Sequence, residues 1–567
     1  MTRSRASLFG TTFLAGLLMA GAAHAQKPSG DALLQAAQDG LSAQAAALVK
    51  QGAPVNALDA TGETALAWAV MHGDADLAAA LLKARANPNT ADASGVTPLM
   101  VAIQNGQPDM VKLLLDKGAN ASVARMTGET ALMLAVRAGS ADIVSALLDH
   151  HADVNAREPQ FGQTALMWSA GQPEVAKLLL AHGADFKPVT KAWAVNVVNY
   201  TPTTATVGVT GIPWNNDGTY TAKAGGLNAL IFAAQHDDLE TARMLLDAGA
   251  DVNQAAADGT TPLLAALYHW RSGDDEMAFE ARTSDTKNAE TRNRARRPGL
   301  RFVSDYKMAN LLLDRGAKPM AVDGAGYTPL HGALIGMQPA PVAGRFLAPS
   351  KVTQKPANPE GVAVVKRLLE LGADPNAATV YPTGGPVTQV RVNPAPPGST
   401  PMHIAAQSTD TASLELLIAH GGDVNRLRKD GHSPFSVAAK SNSLPALKVM
   451  VAHGANVKMI YNPGDKLADT VEARAEERKN ETVLHIAGAA GATDVIAYLV
   501  AQGVPTDMVN DHGETALQTA DNQEVVRWKL TREGAVGRDG DLNAKRISET
   551  TDAFKKALGI KTKVASN

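Results

Sequence analysis

The chain of 567 residues contains no cysteine. No disulfide can staple it, and no thiolate is available for zinc, an iron–sulfur cluster or covalently attached haem. Aromatic residues are only 4% of the total, so any place where they gather stands out. Lys and Arg number 53 against 56 Asp and Glu, and this balance leaves no overall field to draw the protein toward nucleic acid or anionic membrane. Beyond the N-terminus nothing approaches the roughly 20 apolar residues that a spanning helix needs, so no membrane insertion is expected. The patterns G-x-S-x-G, G-x-x-x-x-G-K-[ST] and H-E-x-x-H are also missing. These absences argue against an enzyme, and no catalytic residue, metal or cofactor is assigned.

The first 25 residues read as a signal peptide: Arg3 and Arg5, an apolar run from Leu8 to Met19, then Ala23-His24-Ala25 before Gln26. Without cysteine this is not a lipoprotein signal. Its short Ala/Gly-rich form favours export to a bacterial periplasm, with secretion as the second choice.

The rest is repetitive. Ser94 to Asn120, SGVTPLMVAIQNGQPDMVKLLLDKGAN, has a Thr-Pro opening, an apolar helix, an Asn-Gly turn, a second helix and a closing Gly. The opening residues Thr64, Thr97, Thr130, Thr164, Asn228, Thr261, Thr328, Thr400, Ser433, Thr482 and Thr515 recur, several of them 33 apart, as from 64 to 97 and from 97 to 130. The opening hydroxyl caps orphan helix donors, and Pro at the first helical position forfeits no needed hydrogen bond. Gly118, Gly183, Gly249, Gly316, Gly372, Gly421, Gly454 and Gly503 sit where the second helix must end left-handed; Arg85 and His151 replace Gly in two units, with a penalty of about 1 kcal/mol each.

The 33-residue spacing with T-P-L-x-x-A openings and closings such as Gly249-Ala250-Asp251-Val252-Asn253 resembles the ankyrin repeat. That resemblance implies an all-α repeat solenoid of helix-turn-helix repeats with hairpin fingers, stable only when neighbours stack. It also implies a binding scaffold that recognises proteins through its concave face, and His331, His403 and His485 hold the position whose ring the family uses to bond neighbouring turns. His182, His420 and His453 precede closing glycines, where a helix C-terminus favours them.

The expected organisation is a degenerate capping repeat at 26–57, regular repeats at 58–188, a finger insertion at 189–226, further repeats at 227–514 and a C-terminal cap with polar tail at 515–567. Departures from the spacing mark four more inserts, at 271–304, 338–360, 377–399 and 458–480. Loops carry function more often than scaffold does, so the specific surface is sought here. The first insert gathers Trp193, Tyr200, Trp214 and Tyr220, with Asn215-Asn216-Asp217-Gly218 expected as a hairpin turn. Two readings of the rings stay open, a partner hot spot or an anchor that folds the hairpin onto the solenoid. The second insert follows Trp270 and turns from acidic to basic at Arg294, Arg296 and Arg297. The third and fourth are Pro-rich, Pro359 included, and should be extended; 469–480 in the fifth, and Asp552 to Leu558 in the tail, are read as short helices.

Together these features describe an exported, monomeric, non-enzymatic scaffold for one or more proteins, acting through its concave face and inserted loops. The alternative is an accessory or assembly factor for a periplasmic redox or hydrolytic enzyme. Intact-mass analysis of protein recovered from the exporting cell should show a chain beginning at Gln26; a chain that keeps Met1 would overturn export by this signal.

Overall fold

The computed structural model describes residues 29–201, 215–267, 306–337, 358–380, 398–429, 431–462, 480–521 and 538–560. The N-terminal segment read as a signal therefore lies outside the described residues. Two compact units divide between Ala152 and Asp153.

The first unit contains four helix pairs: α1 (Gly30–Gln38) with α2 (Ser42–Lys50), α3 (Ala65–Met71) with α4 (Ala75–Lys83), α5 (Pro98–Gln104) with α6 (Pro108–Asp116), and α7 (Ala131–Arg137) with α8 (Ala141–Asp149). The first helix of each later pair starts at a threonine whose backbone is extended, and Thr64 and Thr130 accept the N–H groups of Ala67 and Met133 at 3.1 and 3.2 Å. Thr97 differs: its buried hydroxyl finds no partner, and Pro98 alone presets the turn. The second helices bury one stripe, Leu77, Ala78, Leu81 and Leu82, which returns as Met110, Val111, Leu114 and Leu115 and again as Ile143, Val144, Leu147 and Leu148. First helices are buried nearly all round, as at Ala131 to Val136. A single pair could not cover both surfaces, so stacking supplies the core.

The second unit continues with α9 (Ala165–Trp168), α10 (Pro173–Ala181), α11 (Ala229–Gln235), α12 (Leu239–Asp247), α13 (Pro262–Leu267), α14 (Lys307–Asp314), α15 (Pro329–Gly336) and α16 (Pro359–Glu370). It ends with α17 (Pro401–Ala405), α18 (Thr411–Ala419), α19 (Pro434–Lys440), α20 (Leu444–Ala452), α21 (Val483–Ala490), α22 (Thr493–Ala501), α23 (Ala516–Asp521) and α24 (Arg538–Ala557). Two pairs, α13 with α14 and α15 with α16, still pack together although their connections are long. Pro359 is not in an extended loop: it is the first residue of α16, preceded by the cap Asn358, because a proline at that position begins a helix without losing a bond. In the tail, α24 is a helix of 20 residues rather than a short one, and Phe554 is fully buried against the end of the stack. The helix read at 469–480 lies outside the described residues except at Asn480.

One side-chain device joins successive repeats. The Asn89 amide donates to the Gly118 carbonyl at 2.9 Å and accepts the Asn120 N–H at 2.7 Å. Asn56, Asn155, Asn253, Asn376 and Asn425 repeat the pair of bonds, and Asn253 reaches Gly316 and Lys318 across a long insert. The eight closing glycines all have positive φ, as do Arg85 at 67° and His151 at 62°. At Gly118 an added Cβ would meet nothing within 4 Å, so substitution there reads backbone strain alone. Gly118→Val should lower stability by about 1 kcal/mol or more, and Arg85→Gly should raise it by a similar amount; unchanged thermal melting in both would refute the left-handed stops.

Candidate protein-interaction surface

Each repeat ends in a finger, a tight turn that leads into the next opening residue. In the first, Asp59 accepts the N–H groups of Thr61 and Glu63 at 2.8 and 2.9 Å, the Thr61 hydroxyl at 2.6 Å and the Trp68 indole N–H at 3.0 Å. Burial works against the Asp59 carboxylate, yet these donors hold it down to about 2. Trp68 thereby fastens the finger to α3. Further along, Glu158 takes the aspartate's role in a turn one residue longer, receiving N–H groups from Gln160, Phe161 and Gln163. Its extra methylene spans the extra residue.

Where a threonine stands in that position the finger is open. Thr190 pairs by backbone with Leu227 and accepts its N–H on Oγ1 at 3.0 Å; Thr379 does the same with Ser399 at 3.0 Å. In both, a glycine of positive φ, Gly226 or Gly398, precedes the returning residue, as Gly62 does in the closed finger. A third open finger pairs Tyr461 with Glu481, with Asn480 at φ 58° in the glycine's place. The inserts at 189–226, 377–399 and 458–480 leave through these three stems.

From the first stem rises an antiparallel hairpin, β1 (Trp193–Thr201) and β2 (Asn215–Ala224). Asn215-Asn216-Asp217-Gly218 is not its turn. These residues belong to β2, and Asp217-Gly218 stands opposite Asn199 where the register slips between Val198 and Tyr200. A dipeptide suited to a tight turn suits a bulge for the same reason, its tolerance of unusual backbone angles. Tyr200 is paired with Asn216 and Tyr220 with Val197. Trp193 is 40% exposed, and its ring lies 5.4 Å from that of Phe161 in the preceding finger, so it both anchors the hairpin and faces solvent. Gly225 permits this closeness: a Cβ there would fall 1.9 Å from the Lys191 carbonyl oxygen. Trp214, Trp270, Arg294, Arg296 and Arg297 lie outside the described residues.

Sequence reasoning missed a recurring aliphatic residue one place before the finger's hydrogen-bonded position. In the first unit it is Leu58; in the second it is Val322, Leu427, Ile460 and Val509, each about half exposed. The signal was present, since each follows the closing Gly by six residues, as from Gly316 to Val322 and from Gly454 to Ile460. Among the described residues no group of three or more His, Asp or Glu could hold a metal ion. No helix among them is long and apolar enough to cross a membrane.

Ankyrin-repeat family models match residues 33–125, 120–189, 357–461 and 225–256, together just over half of the chain. The chain belongs to the ankyrin-repeat family. No curated protein is similar enough to refine that assignment. The histidines act as the resemblance implied. His331 Nδ1 accepts the Thr328 N–H and hydroxyl at 3.2 and 2.8 Å, while Nε2 donates to the Ser399 carbonyl of the next repeat at 3.2 Å. His403 and His485 reach the carbonyls of His432 and Glu514 in the same way. The repeat opened by Ser433 has Ser436 where those three have His, and Tyr461 reaches back from the next finger to bond Ser433 at 2.9 Å. Ankyrin repeats generally mediate protein-protein interaction.

Two buried groups oppose each other with pH. Burial lowers His331 to about 4, since a charged ring would lose the donors aimed at Nδ1. Burial raises Asp323 to about 6, aided by the Asp258 carboxylate and resisted by the N–H groups of Tyr327 and Ala325. The stability His331 contributes is lost as pH falls from its unfolded value of 6.5 toward 4. For Asp323 the sign reverses: the favourable protonated state is lost as pH rises from 3.8 through 6. Asn510 fills the same turn position in a later finger and accepts the N–H groups of His512 and Glu514 without charge. Asp323→Asn should therefore stabilise the protein at pH 7.5 by on the order of 1–3 kcal/mol and leave it unchanged near pH 4. Denaturant melts at the two pH values check this; an equal change at both would refute the buried charge.

Proposed function

We propose that this protein is an exported ankyrin-repeat scaffold that binds one or more protein partners in the bacterial periplasm. The observation that carries the reading is the first open finger, where a regular repeat turn is replaced by a hairpin whose base exposes Trp193 beside Phe161. Other fingers close with a short turn and no hairpin, as at Asp59 and Glu158, so the repeat pattern itself does not call for one here and recognition best explains it. Trp and Tyr give large contact area for little lost side-chain freedom, which suits Trp193, Tyr200 and Tyr220 to this role. The half-exposed aliphatic residues Val322, Leu427, Ile460 and Val509 on other fingers of the second unit would extend the contact. Export rests on the N-terminal sequence alone, and the monomeric state is likewise a reading of the sequence.

Deleting 189–224 and closing the finger with an Asp-Gly turn should leave the melting transition within a few degrees of the parent and abolish recovery of the natural partner from periplasmic extract. Recovery of the same partner with and without the hairpin would place the binding surface elsewhere.

A further inference from the structure

Two cations sit at the hairpin base, around Gly162 next to Phe161, and neither is neutralised. The Arg157 guanidinium donates to the carbonyls of Gly162, at 3.0 Å, and Val189; Lys191 Nζ donates to the carbonyl of Pro159. Among the described residues neither forms an ion pair. The finger's own carboxylate cannot serve, because Glu158 is 5% exposed and its oxygens are occupied by three backbone N–H groups. Carbonyl dipoles orient a cation without cancelling its charge, so Arg157 and Lys191 keep their attraction for an incoming anion. Both are exposed.

We propose that the base of the hairpin, formed by Arg157, Phe161, Lys191 and Trp193, docks an acidic polypeptide segment that carries an aromatic anchor. Carboxylates of the segment would bond the free guanidinium and ammonium donors, which are stronger with a charged acceptor than with a carbonyl. The anchor would lie on the Trp193 and Phe161 rings, an aromatic pair already 5.4 Å apart. The site is preformed: the Lys191 N–H bonds the Phe161 carbonyl at 2.7 Å, and the Gly225 backbone packs against Lys191 and the Trp193 ring where a Cβ could not fit, so little ordering is required on binding. A nucleic-acid strand fits less well, since it needs a track of cations along its phosphates and the next finger presents Asp258 instead. The proposal rests on the scaffold reading for the kind of ligand, a polypeptide, and adds its chemistry.

The test uses the full mature chain and three fluorescein-labelled probes at low salt: a short peptide alternating Glu and Phe, its Lys-for-Glu counterpart, and a short oligo-dT. The Glu–Phe peptide should bind at least about tenfold more tightly than either other probe, and raised salt should weaken it. Arg157→Gln with Lys191→Gln should erase that preference, whereas Lys83→Gln with Lys366→Gln, equal in net charge, should keep it. Trp193→Ala supplies a second variant that leaves the charges in place; it should weaken the Glu–Phe peptide severalfold while circular dichroism stays unchanged. Equal affinity for the acidic and basic peptides, a preference for oligo-dT, or indifference to both the double variant and Trp193→Ala would overturn the proposal. The scaffold reading is judged by capture of the natural partner and this one by probes of defined charge, so either can fail alone.

Discussion

Within each unit most repeats are tied to the next, and the interaction that does so most often is the paired hydrogen bond of a finger asparagine, made by Asn56 and Asn89 in the first unit and by Asn155, Asn253, Asn376 and Asn425 in the second. Asn89 uses both ends of its amide, donating to the carbonyl that ends the following second helix and accepting the N–H two residues later. A helix C-terminus leaves carbonyls without partners, and a left-handed glycine exposes one more. The amide satisfies such a carbonyl and fixes the spacing between neighbours in one contact. Bulk burial of Leu81, Leu114 and Leu147 gives the stack its cohesion, but apolar contact is non-directional and would tolerate sliding. The asparagines, together with the histidines that reach the next repeat's carbonyls, give the stack its register.

That division explains how long inserts are borne. Asn253 bonds Gly316 and Lys318 across a long connection as readily as Asn89 bonds its neighbour at ordinary spacing. Because the bonds belong to the folded ends of each repeat, the length of chain between them enters only through loop-closure entropy, which grows slowly. The ladder is interrupted where Ser122, Lys187, Met320, Lys458 and Asp507 replace asparagine, and two of these five, Lys187 and Lys458, stand just before an open finger.

Much of the architecture was legible from the chain because its signals are backbone requirements. A threonine before a proline starts a helix, a glycine ends one, and the 33-residue interval from Thr64 to Thr97 sets the length of the repeat. The same arithmetic gave the expected insert positions, whose residues lie mostly outside the described ones. What failed was local and for local reasons. Asn215 to Gly218 suits a turn and a bulge alike, and only the pairing of Tyr200 with Asn216 distinguishes them. Pro359 looked like part of a proline-rich loop because the cap Asn358 is a weak signal beside so many prolines. Helix α24 was underestimated since its first half is polar and shows its periodicity only with Phe554 buried against the stack. At the candidate surface, composition located Trp193, but Phe161, whose ring it meets, and Arg157, which bonds Val189 at the hairpin's foot, lie some thirty residues earlier and come there only through the fold.

The contrast between Asp59 and Thr190 reaches beyond this surface. An aspartate with two N–H bonds inside a five-residue turn ties the finger's tip to its own base, so the tip cannot be lengthened without breaking the knot. A threonine closes only the base, bonding the strand that returns and leaving the tip uncommitted. The exchange turns a finger into a socket: what is plugged in need only begin and end at hydrogen-bonding distance. Threonine at that position is thus a point where new sequence can be spliced in and selected for recognition while the stack beneath it continues to fold as before.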